Sequence, residues 1–257
     1  MQHFNPDEAD FVAQAQDWIG QAKGEYRPVL THFLNPRQQY ILHSLVNDEP
    51  ELQDDYAGGS FNSEKKRGLL APTYYEIQAD DFELATLQLN YPAKFVDFRQ
   101  ADLLGAILNA GINREVLGDI VTDENHRLWQ VMTEKNMAPF IEREVVQIGK
   151  NPVSWDLIPA QRILVRQDEG EESFLLLASL RLDVVIAAGF NIQRSKAQEL
   201  ITAGLVQVNW TICQKNNRIV SINDIISVRR FGRMRFLSLD GRSKKDKQKV
   251  VFNIIRR

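Results

Sequence analysis

The sequence predicts an α+β protein with a helical N-terminal segment, a middle domain of βαββαβ order and a small αβ C-terminal domain. Helical spacing of apolar residues near the N-terminus, alternating strand and helix periods in the middle, and a basic C-terminal part with two short helices support this class. The 257 residues, 44% of them hydrophobic, can fill separate small cores. We place the boundaries at residues 1–72, 73–160 and 161–257.

The N-terminal segment carries apolar residues at helical spacing. They are Phe11, Ala15, Trp18, Ile19, Phe33, Ile41, Leu42 and Leu45. Asn5-Pro6 and Asn35-Pro36 are helix-start signals. Proline has no backbone N–H, and in the first turn of a helix this costs nothing, because the N–H groups there have no partner within the helix. Residues 58–68 are rich in turn formers and end on a basic triplet, which predicts a flexible connection.

The middle domain switches between two periods. Residues 82–91, 116–122, 127–133 and 153–158 predict strands, whereas 101–109 and 134–148 predict helices. This order is the ferredoxin-type arrangement of RRM-like domains, many of which bind single-stranded RNA. The several aromatic rings that such domains use for stacking are missing, so Trp129 on the third strand is at least as readily a core residue.

The C-terminal domain contains an acidic turn at residues 168–172, which we interpret as a solvated hairpin end and not as a metal site. An apolar strand at 174–178 leads into two amphipathic helices. Leu182, Val185, Ile186 and Ala187 mark the first helix, and Ala197, Leu200 and Ile201 mark the second. Gly204 ends the second helix, and strands follow at 205–208, 220–228 and 250–255.

Composition argues against several classes of protein. Cys213 is the only cysteine, which excludes an internal disulfide, and the four histidines have no metal-ligand spacing. No apolar stretch reaches the roughly 18 residues of a membrane span, and the N-terminus lacks a leader pattern. We therefore expect a cytoplasmic protein without a metal, a cofactor, a small-molecule substrate or a membrane partner.

Charge is distributed unequally along the chain. Residues 178–257 carry sixteen Lys and Arg against five Asp and Glu, a net charge of +11, whereas the preceding 177 residues carry a net −14. An asymmetry of this size indicates a polyanionic partner for the basic end, most plausibly nucleic acid.

The basic part also contains an ordered set of motifs. They are Ser179 to Asp183, Arg194 to Ala197, Leu200-Ile201, Gly204 to Asn209 and Val220 to Arg229. These five elements resemble the small RNA-binding domain named after ribosomal protein S-four. Gln193 stands where that family usually has a helix-capping Ser, and Trp210 stands where a Gly usually makes the turn.

The whole chain resembles the YlmH-like bacterial proteins. Supporting motifs outside the last domain are Phe33 to Gln38, Leu70 to Tyr74, Lys94-Phe95 and Gly118 to Ile120, and within it Gly232-Arg233 and Ser243 to Lys245. The resemblance implies a protein that binds the large ribosomal subunit carrying a stalled peptidyl-tRNA, in ribosome-associated quality control. It also implies a link to cell division.

The motifs nominate RNA-binding residues. Arg181, Arg194, Ser195 and Lys196 lie at two helix starts, where free backbone N–H groups and the helix dipole favour phosphate. Arg229, Arg230, Arg233, Arg235, Lys244 and Lys245 extend this set. We assign structural roles to Asp183, as a cap or as an ion-pair partner of Arg194, and to Gly204 and Asn209. If about six phosphates are neutralised, log affinity falls against log salt with a slope near −4 to −5.

Two other functions stay open at this stage. Arg181-Leu182-Asp183 also resembles the Arg-Leu-Asp motif of pseudouridine synthases, but too few residues follow it for their catalytic domain. A cell-division scaffold is the other alternative. In the middle domain Lys94, Arg99 and Arg114 are weaker candidates for contact with tRNA or rRNA. The prediction is a non-enzymatic protein that binds structured rRNA or tRNA.

Overall fold

The computed structural model describes residues 8–60, 62–165, 170–243 and 246–256. The chain divides into two compact units, Met1–Arg166 and Gln167–Arg257. Both contain helices and strands, which confirms the predicted α+β class. A separation of the first unit near residue 72 stays a prediction.

The N-terminal part of the first unit packs two helices on a small antiparallel sheet. Its elements are α1 (Ala9–Glu25), β1 (Val29–Leu34), α2 (Pro36–Val46), β2 (Leu52–Ala57) and β3 (Lys66–Pro72), with strand order β1-β3-β2. The helix start at Asn35-Pro36 is confirmed: Asn35 Oδ1 accepts from Gln38 N at 3.0 Å, and Gln38 Oε1 accepts from Asn35 N at 2.9 Å. The Asn5-Pro6 signal lies outside the described residues.

Two predictions for this segment were wrong: it contains strands as well as helices, and residues 66–68 of the predicted flexible connection belong to a strand. Phe33 lies in β1, and β3 begins at Lys66. Strand β3 has almost no exposed face, so it shows no alternation that a sequence pattern could reveal. Arg67 is 5% exposed and donates to the carbonyl oxygens of Thr31 and Phe82, which holds a basic residue inside the fold.

The middle part of the first unit has the predicted ferredoxin-type topology. Its elements are β4 (Leu84–Asn90), α3 (Gln100–Asn109), β5 (Leu117–Thr122), β6 (Trp129–Glu134), α4 (Ala138–Glu144), β7 (Gln147–Ile148), β8 (Asn151–Pro152) and β9 (Ser154–Leu157). Short 3-10 turns lie at Ala79–Phe82, Arg114–Val116 and Ala160–Arg162. The four-stranded antiparallel sheet has the order β5-β6-β4-β9, which places the first and third strands of the βαββαβ unit in the centre.

The predicted helix over 134–148 is shorter than expected. Glu134 is the last residue of β6, and its buried carboxylate contacts His32 Nδ1 at 2.6 Å and Arg67 at 3.7 Å. These contacts with the N-terminal part outweigh the helix preference of glutamate. Helix α4 ends at Glu144, after which β7 and β8 form a hairpin.

The second unit packs two helices on one face of a six-stranded antiparallel sheet. Its elements are β10 (Glu171–Leu177), α5 (Leu182–Gly189), α6 (Arg194–Thr202), β11 (Val206–Val208), β12 (Thr211–Ile212), β13 (Ile225–Val228), β14 (Gly232–Arg242) and β15 (Gln248–Arg256). The strand order is β10-β15-β14-β13-β11-β12. Buried Phe236 and Phe252 stack in its core, with ring centroids 4.7 Å apart.

Three expectations for this unit need correction. Strand β14 was missed, although Arg233 and Arg235 alternate with buried Met234 and Phe236, because its charged residues dominate the pattern. The strand predicted over 220–228 begins only at Ile225, since Asp224 Oδ2 accepts from Ser221 N and closes a turn. Residues 171 and 172 of the acidic turn lie in β10, and 168–169 lie outside the described residues.

Within the described ranges, no helix combines the length and apolar character that crossing a bilayer requires. No group of three or more His, Cys, Asp or Glu side chains there has an arrangement suited to a metal ion.

Candidate nucleic-acid interface

The starts of α5 and α6 meet at the carboxylate of Asp183. This side chain is completely buried and accepts from Arg181 Nε at 3.1 Å, Arg194 Nε at 2.9 Å and Gln198 Nε2 at 2.8 Å. The side chains of Arg181 and Arg194 keep 36% and 53% of their surface exposed. Asp183 therefore fixes two guanidinium groups at the surface, and Arg194 forms the ion pair that the sequence analysis considered.

The environment of Asp183 shifts its pKa in two opposing directions. Burial alone raises the pKa, but hydrogen bonds from Arg181, Gln198 and Arg194, together with the charge of Arg194, lower it to about 2. The carboxylate therefore stays ionised at all physiological pH values. One negative charge against two arginines leaves a local net charge of +1 from these three groups.

Acid is expected to destabilise the second unit through Asp183. Its pKa is about 2 in the folded state against an ordinary value of 3.8, so its stabilising contribution is complete above the ordinary value and is lost as pH falls through about 2. Amide NMR signals of α5 and α6, followed from pH 5 to pH 2, measure this loss. Asp183→Asn, which cannot titrate, should lack this part of the pH dependence, and an unchanged profile would contradict the assignment.

The backbone donors at the start of α5 are already occupied. Leu182 N donates to Arg218 O at 2.8 Å, and Asp183 N donates to Asn216 O at 3.2 Å. The expectation that free N–H groups at both helix starts favour phosphate is therefore wrong for α5, because a distant loop supplies the acceptors.

The start of α6 is different. Gln193 precedes it without a side-chain capping bond, and no acceptor for the N–H groups of Arg194, Ser195 and Lys196 occurs among the described residues. All three side chains are exposed. Lys196 pairs with Glu199 at 2.8 Å, a surface ion pair that costs little to break. Helix α6 thus presents an uncapped positive end with a hydroxyl and two cations beside it.

Two basic residues near the start of α5 were not predicted from the sequence. Lys215 and Arg218 lie in the loop whose carbonyl groups cover the start of α5, and Arg181 also forms a β-bridge with Ile219. Lys215 is exposed and Arg218 is half-buried. Their separation from Arg181 along the chain hid this proximity, and only pairing of the loop with residues 181–183 would have revealed it.

A second basic group lies on β14 and on the turn that connects β13 to it. Arg229 and Arg230 occupy the turn and are exposed, and Arg230 has a φ of 71°. Arg233 and Arg235 point to the face of the sheet opposite the core, because Met234 and Phe236, which alternate with them, are buried. These four arginines are called here the β13–β14 strip. Lys244 and Lys245 lie outside the described residues.

Trp210 adjoins the β13–β14 strip. Asn209 and Trp210 form the β11–β12 turn with φ values of 51° and 64°, and the Arg233 guanidinium carbon lies 6.0 Å from the Trp210 ring centre. Asn209 supports this turn: its Nδ2 donates to Asp224 at 2.7 Å and its Oδ1 accepts from Ile225 N at 2.8 Å. Gly204 ends α6 with a φ of 70°.

The middle sheet packs α3 and α4 on one face. Its other face, which RRM-like domains use for RNA, is covered here. Phe33 from β1 packs there with Val121 and Met132, and Ile163 and Leu164 join this cluster. Gln130 Nε2 donates to Arg162 O at 3.0 Å, and Gln130 Oε1 accepts from Leu164 N at 2.8 Å. The missing stacking rings have a structural reason, because this face is part of the interior. Trp129, on the opposite face, is 4% exposed and belongs to the core.

The three candidate residues of the middle domain differ in their surroundings. Lys94 and Arg99 are exposed on the connection between β4 and α3. Arg114 is half-buried and donates to Leu117 O at 3.1 Å, and burial lowers its pKa. Arg114 is therefore engaged inside the fold, whereas the other two remain accessible.

Comparison with known proteins agrees with these features. Residues 78–162 match the family model described as “Putative RNA-binding domain in YlmH”, and residues 180–226 match the S4 domain, named after ribosomal protein S-four. The “Ribosome-associated protein quality control protein P2” of Bacillus subtilis (strain 168) is 36% identical over 258 residues, which cover 98% of this chain and 96% of that protein. The chain belongs to the YlmH family.

A solved structure extends this comparison. The “Cell division protein ylmH from Streptococcus pneumoniae” is 31% identical, with a TM-score of 0.56, over 64% of this chain and 99% of that one. The resemblance to YlmH-like proteins is thus confirmed, and this YlmH-family chain is an RNA-binding protein. The uncapped start of α6 and the residues that contact Asp183 lie inside the matched S4 domain.

Proposed function

We propose that this YlmH-family protein is a non-enzymatic factor that binds structured RNA of the large ribosomal subunit carrying a stalled peptidyl-tRNA, in ribosome-associated quality control. The observation that carries the proposal is the uncapped start of α6, with Arg194, Ser195 and Lys196 exposed on a basic unit. The name of the Bacillus subtilis relative supports the assignment to ribosome-associated quality control.

The contacts in the second unit fit recognition of an RNA backbone. Phosphate oxygens accept from the free N–H groups and cations at the start of α6, while the β13–β14 strip and Lys215 add positive charge. These groups recognise backbone shape and not base identity. A folded ribosomal or transfer RNA is therefore a better ligand than a particular short sequence.

The geometry of Asp183 argues against a pseudouridine-synthase-like activity. A catalytic carboxylate must reach the reacting base, but Asp183 is completely buried and bound by Arg181, Arg194 and Gln198. Its role is to hold the two arginines in position.

Purified large subunits provide the test. We expect the full-length protein to co-sediment with subunits that carry peptidyl-tRNA more than with vacant subunits. Equal co-sedimentation with both would contradict recognition of peptidyl-tRNA, and no co-sedimentation with either would contradict ribosome binding altogether.

A cell-division scaffold is the second candidate, favoured by the name of the Streptococcus pneumoniae relative. In that function the first unit binds a protein partner, and RNA binding is incidental. Charge reversal in the β13–β14 strip separates the two functions. If the protein is a ribosome factor, the charge-reversed variant no longer rescues stalled translation. If it is a scaffold, the variant keeps its effect on cell division.

A further inference from the structure

We propose that the middle domain binds an unstacked RNA base on the ring of Phe95, at one end of its sheet and not on the sheet face. This inference rests on the proposed binding of rRNA or tRNA and adds a second contact site of a different chemical kind. Phe95 is 88% exposed, and it lies within the matched RNA-binding domain.

The first observation is that the sheet face on which RRM-like domains bind RNA is not accessible in this domain. In RRM-like domains RNA bases stack on the open face of the sheet. Here the central residues of that face, Thr86, Gln130, Met132 and Glu134, are at most 4% exposed. Met132 packs in the cluster with Phe33, Gln130 bonds to the backbone of residues 162 and 164, and Glu134 contacts His32 and Arg67. The exposed charges of α4 are Glu142, Arg143 and Glu144, a net charge of −1 that does not attract phosphate. RNA must therefore be contacted elsewhere on this domain.

The second step is topology. Strand β4 ends at Asn90, opposite Ser154 at the start of β9, and Gln88 of β4 pairs with Gln130 near the start of β6. The connection 91–99 and the β5–β6 turn at 123–128 therefore share one end of the sheet. A hydrogen bond from Tyr91 Oη to His126 O at 3.4 Å joins them.

The third step is preorganisation. Ala93 N donates to Tyr91 O at 2.8 Å, and Phe95 N donates to Pro92 O at 2.9 Å. The rings of Tyr91 and buried Phe98 are 4.9 Å apart and anchor both sides of the turn. These contacts order the backbone on both sides of Phe95 and leave its ring in solvent, so that little backbone entropy is lost when a base stacks on it.

The fourth step is charge. Lys94, Arg99 and Arg127 are exposed at this end, but it also contains four carboxylates, those of Asp97, Asp102, Asp123 and Glu124. Asp123 Oδ1 accepts from the N–H groups of Arg127 and Leu128, and Asp102 Oδ2 accepts from Arg99 N. With no excess of positive charge, phosphate attraction is weak here. Stacking, which is insensitive to salt, must provide the binding energy, and its ligand is an unpaired base in a single-stranded or bulged segment.

The test uses the full-length protein and a short unstructured RNA of mixed sequence. We expect Phe95→Leu, which keeps an apolar side chain but removes the ring, to weaken binding about tenfold without changing the slope of log affinity against log salt. Phe95→Tyr keeps a ring and should bind like the wild type. Leu157→Ala, at a 63% exposed apolar residue of the same domain, is the matched control and should have no effect.

Ultraviolet cross-linking locates the contact. After trypsin digestion, the peptide Phe95–Arg99 should carry a nucleotide adduct on Phe95 and not on Phe98, which is 7% exposed. Wild-type affinity of Phe95→Leu, or absence of the adduct, would overturn the inference and leave the proposed function standing if charge reversal at Arg229 and Arg230 still weakens RNA binding. Loss of large-subunit binding by Phe95→Leu with unchanged RNA affinity would also overturn it, because Phe95 would then contact protein.

Discussion

Asp183→Ala is expected to lower the free energy of unfolding of the second unit by about 3 kcal/mol, the low end for breaking a buried ion pair. The substitution removes the acceptor shared by Arg181, Arg194 and Gln198 and leaves a small cavity between α5 and α6. The cost stays at the low end because both arginines are partly exposed and regain water.

Hydrogen exchange measures this effect in the second unit alone. Amides of α5 and α6 should exchange roughly a hundredfold faster in Asp183→Ala, while amides of the first unit are unchanged. Asp240→Ala is the matched control, because Asp240 is exposed and accepts from Ser238 Oγ at 3.0 Å, and its effect should be within about 0.5 kcal/mol. Equal exchange rates in Asp183→Ala and Asp240→Ala would show that Asp183 does not hold the helix starts together.

Charge reversal in the turn of the β13–β14 strip should have the largest effect on RNA binding. Arg229→Glu/Arg230→Glu changes two exposed residues, so folding is preserved while phosphate is repelled. We expect affinity for deproteinised large-subunit rRNA to fall on the order of a hundredfold, and the slope of log affinity against log salt to become shallower by about 2. Fluorescence anisotropy across a salt series gives both quantities.

A control variant with the same change in net charge distinguishes a direct contact of Arg229 and Arg230 with RNA from an effect of the protein's overall charge. Arg27→Glu/Arg143→Glu replaces two exposed arginines of the first unit, each of which pairs with a neighbouring glutamate. Its rRNA affinity should stay within about threefold of wild type. If both double variants weaken binding equally, the β13–β14 strip is not a specific contact surface.

The sequence predicted the parts of the fold that local patterns determine. The ferredoxin-type order, α2 with its Asn35 cap, and the two helices of the second unit follow from period and turn chemistry. Strand β3 could not be predicted, because contacts of Arg67 and the surrounding interior, not alternation, stabilise it. Glu134 was assigned to a helix since its strand conformation depends on Arg67 and His32, far away in the chain.

In the candidate site, too, local patterns predicted some features and long-range contacts determine the others. The motif residues Arg181, Asp183 and Arg194 come together as their spacing at two helix starts suggests. The closure of α5 by Asn216 and Arg218, and the cover over the middle sheet, depend on long-range pairing that no local pattern contains. For this reason the sequence predicted equivalent anion sites at α5 and α6. Of these two helices, α6 alone has backbone N–H groups at its start without an acceptor among the described residues.

Sedimentation of the full-length protein with bacterial lysate through a sucrose gradient tests the central claim most directly. Wild type is compared with Lys196→Glu/Arg229→Glu/Arg230→Glu at low and high salt. We predict that wild type travels with the large subunit and is released by salt, while the variant stays at the top of the gradient. Wild type at the top in both salts, or equal co-sedimentation of both proteins, would contradict the claim that this basic surface binds the ribosome.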